Sequence, residues 1–214
     1  MTDIADQIQK DIDSLPTDRL KQLAVVVQKC HEGQFRADKI TPYITHPLFV
    51  AHNIDHWGGS EAAIAAALSH DVLEDCSEEM KDLWDWKIEE IFPEEDMQKI
   101  YIMTKALTIP PPASGWNRAK RYAIAAQQLI TCADMGYPEC ILIKISDISH
   151  NSLNSKGRKT GSLKQYCKDV RKLLKDLHPT IVANGWTRYE ELCEKQVADL
   201  EKQIEDQDQR TVIV

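Results

Sequence analysis

An alanine-rich run that ends in ionisable residues is the feature that most constrains the fold of this chain. Residues 62–68 are all alanine or aliphatic, and Ser60 stands where a helix N-cap is expected. The run is followed by four side chains that can ionise or bind a metal: His70, Asp71, Glu74 and Asp75. In a helix that continues to residue 75, His70 lies one turn from Glu74, and Asp71 lies one turn from Asp75. Carboxylates are costly in an apolar setting unless they are paired, hydrogen-bonded or metal-bound, so this stretch predicts a functional site.

Length and composition favour a single domain in a reducing compartment. The chain has 214 residues, and 43% of them are hydrophobic, which is enough for a sizeable core. No segment reaches the roughly 18 consecutive apolar residues of a membrane-spanning helix, and the acidic N-terminus does not resemble a signal peptide. The six cysteines are scattered without a Cys-x-x-Cys pair. We therefore expect a cytoplasmic protein with no membrane partner.

The charge balance limits the class of ligand. A net charge of −8 disfavours general binding to nucleic acid. An anionic phosphate compound would need local basic groups that overcome this field. The candidates are Arg36, Lys144 and the two basic clusters at residues 118–121 and 156–159. The alternative interpretation is that these residues are solvated surface charges.

Hydrophobic residues recur at helical spacing along most of the chain, which predicts an all-α fold. The expected helices run from Pro16 to about Gly33, and over about 48–57, 60–68, 83–92, 94–107, 117–135, 163–177 and 186–208. The helix that begins at residue 60 would reach residue 75 if it persists beyond the alanine run. Ser14 is placed to cap the first of these helices, and Pro47 to open the second. His178 and Pro179 are expected to interrupt the helix that precedes them. The prolines and glycine of residues 110–115 predict a loop.

Residues 139–154 are ambiguous between strand and helix. The run Ile141–Ile145 has the β-branched content of a strand, but no second convincing strand is available to pair with it. As a helix, the segment aligns four polar residues on one face: Lys144, Asp147, Asn151 and Asn154. The helix is therefore the favoured interpretation.

Three separated pieces of the chain together have the chemistry of a metal site. They are His46, the His70–Asp71 pair and Asp147. Two imidazoles and two carboxylates suit Mn²⁺, Fe²⁺, Co²⁺ or Zn²⁺, with positions left for water. A second ion would need further ligands, and none of the seven histidines lies between residues 71 and 147 to supply them. The sequence therefore favours one ion per chain rather than two. Each member also has an alternative interpretation. A His-Asp dipeptide often occurs by chance, His46 could cap a helix, and Asp147 could be an N-cap or a surface residue.

A bound ion of this kind acidifies its water and polarises a phosphoryl oxygen. Glu74 and Asp75 follow the His-Asp pair closely enough to orient or deprotonate that water. The arrangement therefore predicts hydrolysis of a phosphate ester or anhydride.

The order and spacing of three motifs also match a known family. The motifs are residues 31–36 with 42–51, residues 66–75 and residues 143–151, with a weaker match at 103–105. Over roughly residues 20–155 the chain resembles the HD-domain hydrolases. Within that family it is most similar to the alarmone hydrolase domain of RelA/SpoT proteins and to their small single-domain relatives.

The resemblance implies an all-α HD-domain bundle around a mononuclear metal site. Residues 1–160 would form the HD hydrolase core, and residues 161–214 would be C-terminal helices that pack on it or extend it. The implied ion is Mn²⁺, although another divalent transition metal could replace it. Its ligands by resemblance are His46, His70, Asp71 and Asp147, and the water-activating pair is Glu74 and Asp75.

The implied substrate is a small nucleotide. The reaction would remove the 3′-pyrophosphate from guanosine tetra- or pentaphosphate, written (p)ppGpp, or from a related alarmone. By resemblance, Arg36 matches an arginine that stacks on guanine, Lys144 the lysine of the third motif, and Asn151 a nucleoside-contacting asparagine. Asn154 falls where the family often has threonine.

The residues expected to face the substrate depart from the family pattern. Ala37 replaces a basic residue, Ile40 and Thr41 fill the place of a glycine, and Ile148-Ser149 replaces Arg-Leu. Two other functions therefore stay open. One is an HD-type nucleotidase or (d)NTP triphosphohydrolase, and the other is a nucleotide sensor without turnover. The sequence does not indicate the oligomeric state.

Overall fold

Helices form almost all of the regular structure in the computed structural model, which describes residues 4–111, 113 and 115–212. In chain order they are α1 (Ile4–Asp13), α2 (Asp18–Cys30), α3 (Thr45–His56), α4 (Glu61–Ser69), α5 (Val72–Asp75), α6 (Glu78–Ile91), α7 (Glu94–Leu107), α8 (Arg118–Asp134), α9 (Glu139–Leu153), α10 (Thr160–Ala183) and α11 (Thr187–Val212). Within the described residues there is no β-strand, and a single antiparallel bridge joins Phe35 to Pro42. The all-α prediction is confirmed.

The alanine-rich helix α4 is the centre of the bundle. Its residues 62–69 are all buried, because the helix contacts α2, α3, α7 and α9 on different sides. A helix that is apolar on every side belongs in a core, and alanine lets its neighbours approach closely. Ser60 accepts a hydrogen bond from the backbone of Ala63 at 3.2 Å and donates one to Glu139 at 2.7 Å. The start of α4 is thereby joined to the start of α9.

The alanine-rich helix does not persist to residue 75. α4 ends at Ser69, and a separate turn of helix, α5, begins at Val72. At the break, Nδ1 of His70 lies 2.7 Å from the carbonyl oxygen of Ala67. In a continuing helix that carbonyl would accept from a backbone N–H instead. The carbonyl of Asp71 starts the next turn by accepting from the backbone N–H of Asp75 at 2.8 Å. The His-Asp pair therefore lies at a bend in the chain.

Two other helix boundaries also differ from the prediction. Thr17, rather than Ser14, caps α2 by accepting from the backbone N–H of Leu20. The helix α10 continues through His178 and Pro179. Proline removes one backbone hydrogen bond, but the apolar residues on both sides of it, such as Leu177 and Ile181, are fully buried in the core. Tertiary packing keeps the helix continuous there.

The ambiguous segment is helical, as favoured from the sequence. It forms α9, which contacts α3, α4, α7, α8 and α11 and is buried over most of its length. α11 also packs along α10, and buried residues of both helices belong to the same hydrophobic cluster as those of α4. The division of the chain at residue 160 stays a prediction. Pro112 and Ser114, in the predicted 110–115 loop, lie outside the described residues. No helix within the described ranges is long and apolar enough to cross a bilayer.

Candidate metal centre

Four side chains from three parts of the chain converge in the core. His46 lies in the first turn of α3, His70 and Asp71 at the bend after α4, and Asp147 in the middle of α9. Nε2 of His46 lies 3.2 Å from Nε2 of His70 and 3.2 Å from Oδ1 of Asp147. Oδ2 of Asp71 lies 3.2 Å from Nε2 of His70 and 3.5 Å from Nε2 of His46. The four predicted ligands thus face one another.

The structure also bears on the alternative interpretations of these residues. No side chain caps the N-terminus of α3, so His46 is not a capping residue. Asp147 is neither an N-cap nor exposed, because it lies inside α9 with 6% of its surface accessible. Both side chains are held in the core beside other ionisable groups.

The donor atoms and their orientation fit a divalent cation. Within the described residues, His46, His70 and Asp147 form a group whose ligand atoms all lie within 4.8 Å of one another. A carbonyl oxygen can only accept, so the contact with Ala67 requires a proton on Nδ1 of His70 and directs its Nε2 toward the group. Two imidazole nitrogens and carboxylate oxygens match the borderline ligand preference of Mn²⁺, Fe²⁺, Co²⁺ and Zn²⁺.

The pKa values of His46, His70 and Asp147 are shifted by burial and by the neighbouring charges. Burial lowers the pKa of His70, but the adjacent Asp71 carboxylate outweighs it and raises the value to about 9. Burial lowers the pKa of His46. Burial opposes ionisation of Asp147 as well, but the Lys144 ammonium and His46 hold its pKa well below the usual range. The group therefore holds anionic carboxylates in the core, as a cation site requires.

Glu74 and Asp75 lie beside the four converging residues. Both line a cavity of about 360 Å³ that is also lined by Asp71 and Asp147. Oδ2 of Asp75 lies 2.9 Å from the hydroxyl of Tyr43, and Oε2 of Glu74 accepts from the backbone N–H of Ile109 at 3.1 Å. Burial raises the pKa of both carboxyl groups. Both carboxyl groups therefore lie beside the candidate ligands and hold a proton more readily than ordinary carboxyl groups do.

Three of the residues predicted to bind substrate are linked to Asp147 by hydrogen bonds, two directly and one through Asn151. Lys144 donates to its Oδ2 at 2.7 Å, and Asn151 donates to its Oδ1 at 2.5 Å. Arg36 donates to Oδ1 of Asn151 at 2.7 Å, and its guanidinium lies 5.4 Å from the centre of the Tyr43 ring. These three side chains line the same cavity as Asp71 and Asp147. Lys144 and Asn151 are joined through Asp147, and Arg36 is joined to Asn151.

Asn154 lies apart from that cluster. Its Nδ2 donates to the backbone carbonyl of His150 at 3.3 Å. It lines a second cavity, of about 550 Å³, together with Phe49 and His150. Arg36 lines both cavities, so it stands at the boundary between them.

Two residues with no predicted role, and one residue of a predicted basic cluster, also contact the site. They are Tyr43, whose hydroxyl lies 2.7 Å from Oδ2 of Asp71, His150, whose Nδ1 lies 2.6 Å from Nδ1 of His46, and Arg158, which donates to Asn151 at 3.3 Å. Tyr43 and His150 lie inside the matched motifs, and Arg158 is in a basic cluster already named. His150 follows Asp147 by three residues, a helical spacing that signals a shared face. Burial lowers the pKa of His150 to about 3, which keeps its ring neutral.

Comparison with known proteins defines the class. Residues 24–135, more than half of the chain, match the family model described as HD domain. The chain belongs to the HD-domain family, and the resemblance drawn from its motifs is confirmed. HD domains bind divalent metals, and the group formed by His46, His70 and Asp147 offers such a site here.

The curated relatives are much longer proteins. The chain is 36% identical over 80 residues to a guanosine-3′,5′-bis(diphosphate) 3′-pyrophosphohydrolase of Vibrio cholerae, a match that covers 37% of this chain and 11% of the relative. It is 40% identical over 72 residues to the bifunctional (p)ppGpp synthase/hydrolase SpoT of Escherichia coli K12, covering 32% and 10%. It is 30% identical over 135 residues to a GTP pyrophosphokinase of Myxococcus xanthus, covering 63% and 17%. The matched region is thus less than a fifth of each of these relatives.

Proposed function

We propose that this protein is a metal-dependent phosphohydrolase that removes the 3′-pyrophosphate of (p)ppGpp or of a related alarmone. The observation that carries the proposal is the position of Glu74 and Asp75. They share one cavity with Asp71 and Asp147, two of the four converging side chains. The names of the relatives from Vibrio cholerae and Escherichia coli support the choice of substrate.

His46, His70, Asp71 and Asp147 would hold one Mn²⁺ ion. When bound, the ion supplies Lewis-acid chemistry, because it lowers the pKa of water and polarises a phosphoryl oxygen. The first-turn position of His46 and the bend at His70–Asp71 direct the nitrogens and a carboxylate oxygen to one point. The buried contact between Lys144 and Asp147 keeps that carboxylate ionised.

Glu74 and Asp75 are proposed to handle the proton of the attacking water. A general base works best when its pKa lies close to the working pH, and burial raises both values toward that range. The backbone N–H of Ile109 holds Glu74, and the Tyr43 hydroxyl holds Asp75. Each carboxylate is therefore oriented by a separate hydrogen bond.

The basic side chains of the cavity fit a substrate with several phosphates. Arg36, Lys144, Arg118 and Arg158 all line the cavity that contains the carboxylates, although the whole chain carries a charge of −8. Nε of Arg36 is buried and has no hydrogen-bond partner among the described residues, which leaves a donor for a ligand. The second cavity adjoins at Arg36 and offers space for the nucleoside. These features support a nucleotide rather than a simple phosphate ester.

A panel of nucleotides tests the proposal. The purified chain would be incubated with Mn²⁺ and ppGpp, GTP, dNTPs or nucleoside monophosphates, and the products separated by ion-exchange chromatography. Release of pyrophosphate and GDP from ppGpp is the expected result. Activity confined to dNTPs or monophosphates would instead support the nucleotidase alternative. Tight nucleotide binding without turnover of any substrate would support a sensor.

A further inference from the structure

His150 is a buried residue that the proposed mechanism does not use. It lies on α9 one turn beyond Asp147, with 8% of its surface accessible. Its Nδ1 lies 2.6 Å from Nδ1 of His46, and the two ring planes differ by 10° with centroids 4.9 Å apart. Because the closest atoms are the two Nδ1 atoms, the rings meet edge to edge in nearly one plane. This geometry is that of a direct hydrogen bond between imidazoles.

A hydrogen bond between two imidazole nitrogens requires one N–H and one lone pair. Nε2 of His46 faces His70 and Asp147, so a metal ligand at that position needs its lone pair there. The proton of neutral His46 must then sit on Nδ1, and Nδ1 of His150 must accept it. His150 in turn carries its own proton on Nε2.

His70, the other histidine of the site, also uses its Nδ1 in a hydrogen bond, but with a different acceptor. Nδ1 of His70 contacts the carbonyl oxygen of Ala67 at 2.7 Å. A backbone carbonyl at the end of α4 thus orients one imidazole, and a side chain of α9 orients the other. No described hydrogen bond joins Nδ1 of His46 to any group other than His150.

The His150 ring is itself held in place. The Phe49 ring stacks on it with centroids 4.2 Å apart and planes 21° apart. Phe49 comes from α3, three residues after His46, so α3 provides both the histidine that donates and the ring that supports the acceptor. A side chain packed in this way loses little further freedom when it accepts a hydrogen bond.

We infer that His150 is a positioning residue that fixes the tautomer and orientation of His46 so that its Nε2 points at the metal. The inference rests on the proposed metal site. Partners of this kind act through a metal ligand, and their removal typically costs about 10–100-fold in metal affinity.

Direct measurement of metal binding tests the inference without substrate. His150→Phe keeps an aromatic ring beside Phe49 but removes the acceptor, and isothermal titration with Mn²⁺ should show affinity weakened about 10–100-fold. His150→Gln, which retains an acceptor oxygen, should recover part of the loss. His56→Phe, the same change at an exposed histidine of α3, is the matched control and should bind Mn²⁺ like the unchanged protein.

A second measurement needs no variant and so does not depend on folding of His150→Phe. Long-range ¹H–¹⁵N NMR of the unchanged protein with Zn²⁺ should show His46 protonated on Nδ1 and His150 protonated on Nε2. The opposite tautomers, or equal Mn²⁺ affinity in His150→Phe and the unchanged protein, would overturn the inference while leaving the metal site intact. An unchanged protein that binds no divalent cation would overturn both.

Discussion

The hydroxyl of Tyr43 lies 2.9 Å from Oδ2 of Asp75, a residue of the proposed water-activating pair. The same hydroxyl lies 2.7 Å from Oδ2 of Asp71, a proposed metal ligand. One phenol thus connects the carboxylate that would hold the ion with a carboxylate that would handle the water. The ring is itself packed against His31, with centroids 4.7 Å apart.

Tyr43→Phe should lower the rate of hydrolysis while the metal is retained. The substitution keeps the ring on His31 but removes the hydroxyl from two carboxylates. A hydrogen bond to a charged group contributes about 1.5–3 kcal/mol, so kcat/KM should fall roughly 10–100-fold. Steady-state kinetics together with the metal content by mass spectrometry would check this. Unchanged kinetics would show that the hydroxyl does not position Asp75.

Asp71→Ala should remove metal and activity together. The substitution deletes a carboxylate whose oxygen lies 3.2 Å from Nε2 of His70. Mn²⁺ titration and hydrolysis of ppGpp would both be measured. The control is Asp82→Ala, which removes an exposed carboxylate on α6 and should change neither property. A variant at Asp71 that still binds Mn²⁺ with full affinity would exclude Asp71 from the ligand set.

Glu74→Gln should slow hydrolysis without removing the metal. The amide keeps an oxygen that can accept from the backbone of Ile109, and the proposed ligands are untouched. The metal should therefore remain, while kcat falls roughly 10²–10⁴-fold, the usual scale of acid–base assistance. A fully active variant would contradict the role assigned to Glu74.

The pH dependence provides a further test of the same residue. A base must be deprotonated to accept a proton, so activity should be lost as the pH falls through the pKa of Glu74. Burial raises that pKa, and the acid side of the rate profile should therefore lie above the range of an ordinary glutamate. In Glu74→Gln this limb should disappear or move to the pKa of Asp75. A limb unchanged by the substitution would assign it to another group.

Arg36→Ala should weaken substrate binding and spare the metal. Arg36 lines both cavities and hydrogen-bonds to Asn151 rather than to a proposed ligand. Loss of a charged hydrogen-bonding group should raise KM roughly 10–100-fold with little change in Mn²⁺ affinity. Lys105→Ala, an exposed cation on α7, is the control for loss of one positive charge. An equal change in KM in both variants would indicate a general charge effect.

Much of the fold followed from local patterns. The apolar spacing indicated α2, α6, α7 and α8, and the alanine run with its Ser60 cap indicated α4. The predicted helix ends were wrong where a tertiary contact determines whether the helix stops or continues. His70 takes the carbonyl of Ala67 and breaks α4, and the buried neighbours of Pro179 keep α10 continuous.

In the candidate site too, some residues could be identified from local patterns and others only from tertiary contacts. Its candidate ligands were recognisable because imidazoles and carboxylates interrupt apolar helices, and their order matches the motifs of a family. Tyr43 and His150 were given no role because their importance depends on contacts 28 and 104 residues away in the chain. No spacing rule for a single helix reaches that far.

The sequence alone determined which residue types could form the proposed site, because residue types and local spacing set the candidate ligands and the helices that present them. Only the tertiary structure decided how those ligands are oriented. The bend between α4 and α5 places the His-Asp pair, and the packing of α3 on α9 brings His46 to Asp147 and to His150. A hydrogen bond or a metal ligand depends on distances and angles between side chains, and these are set when separate helices pack together.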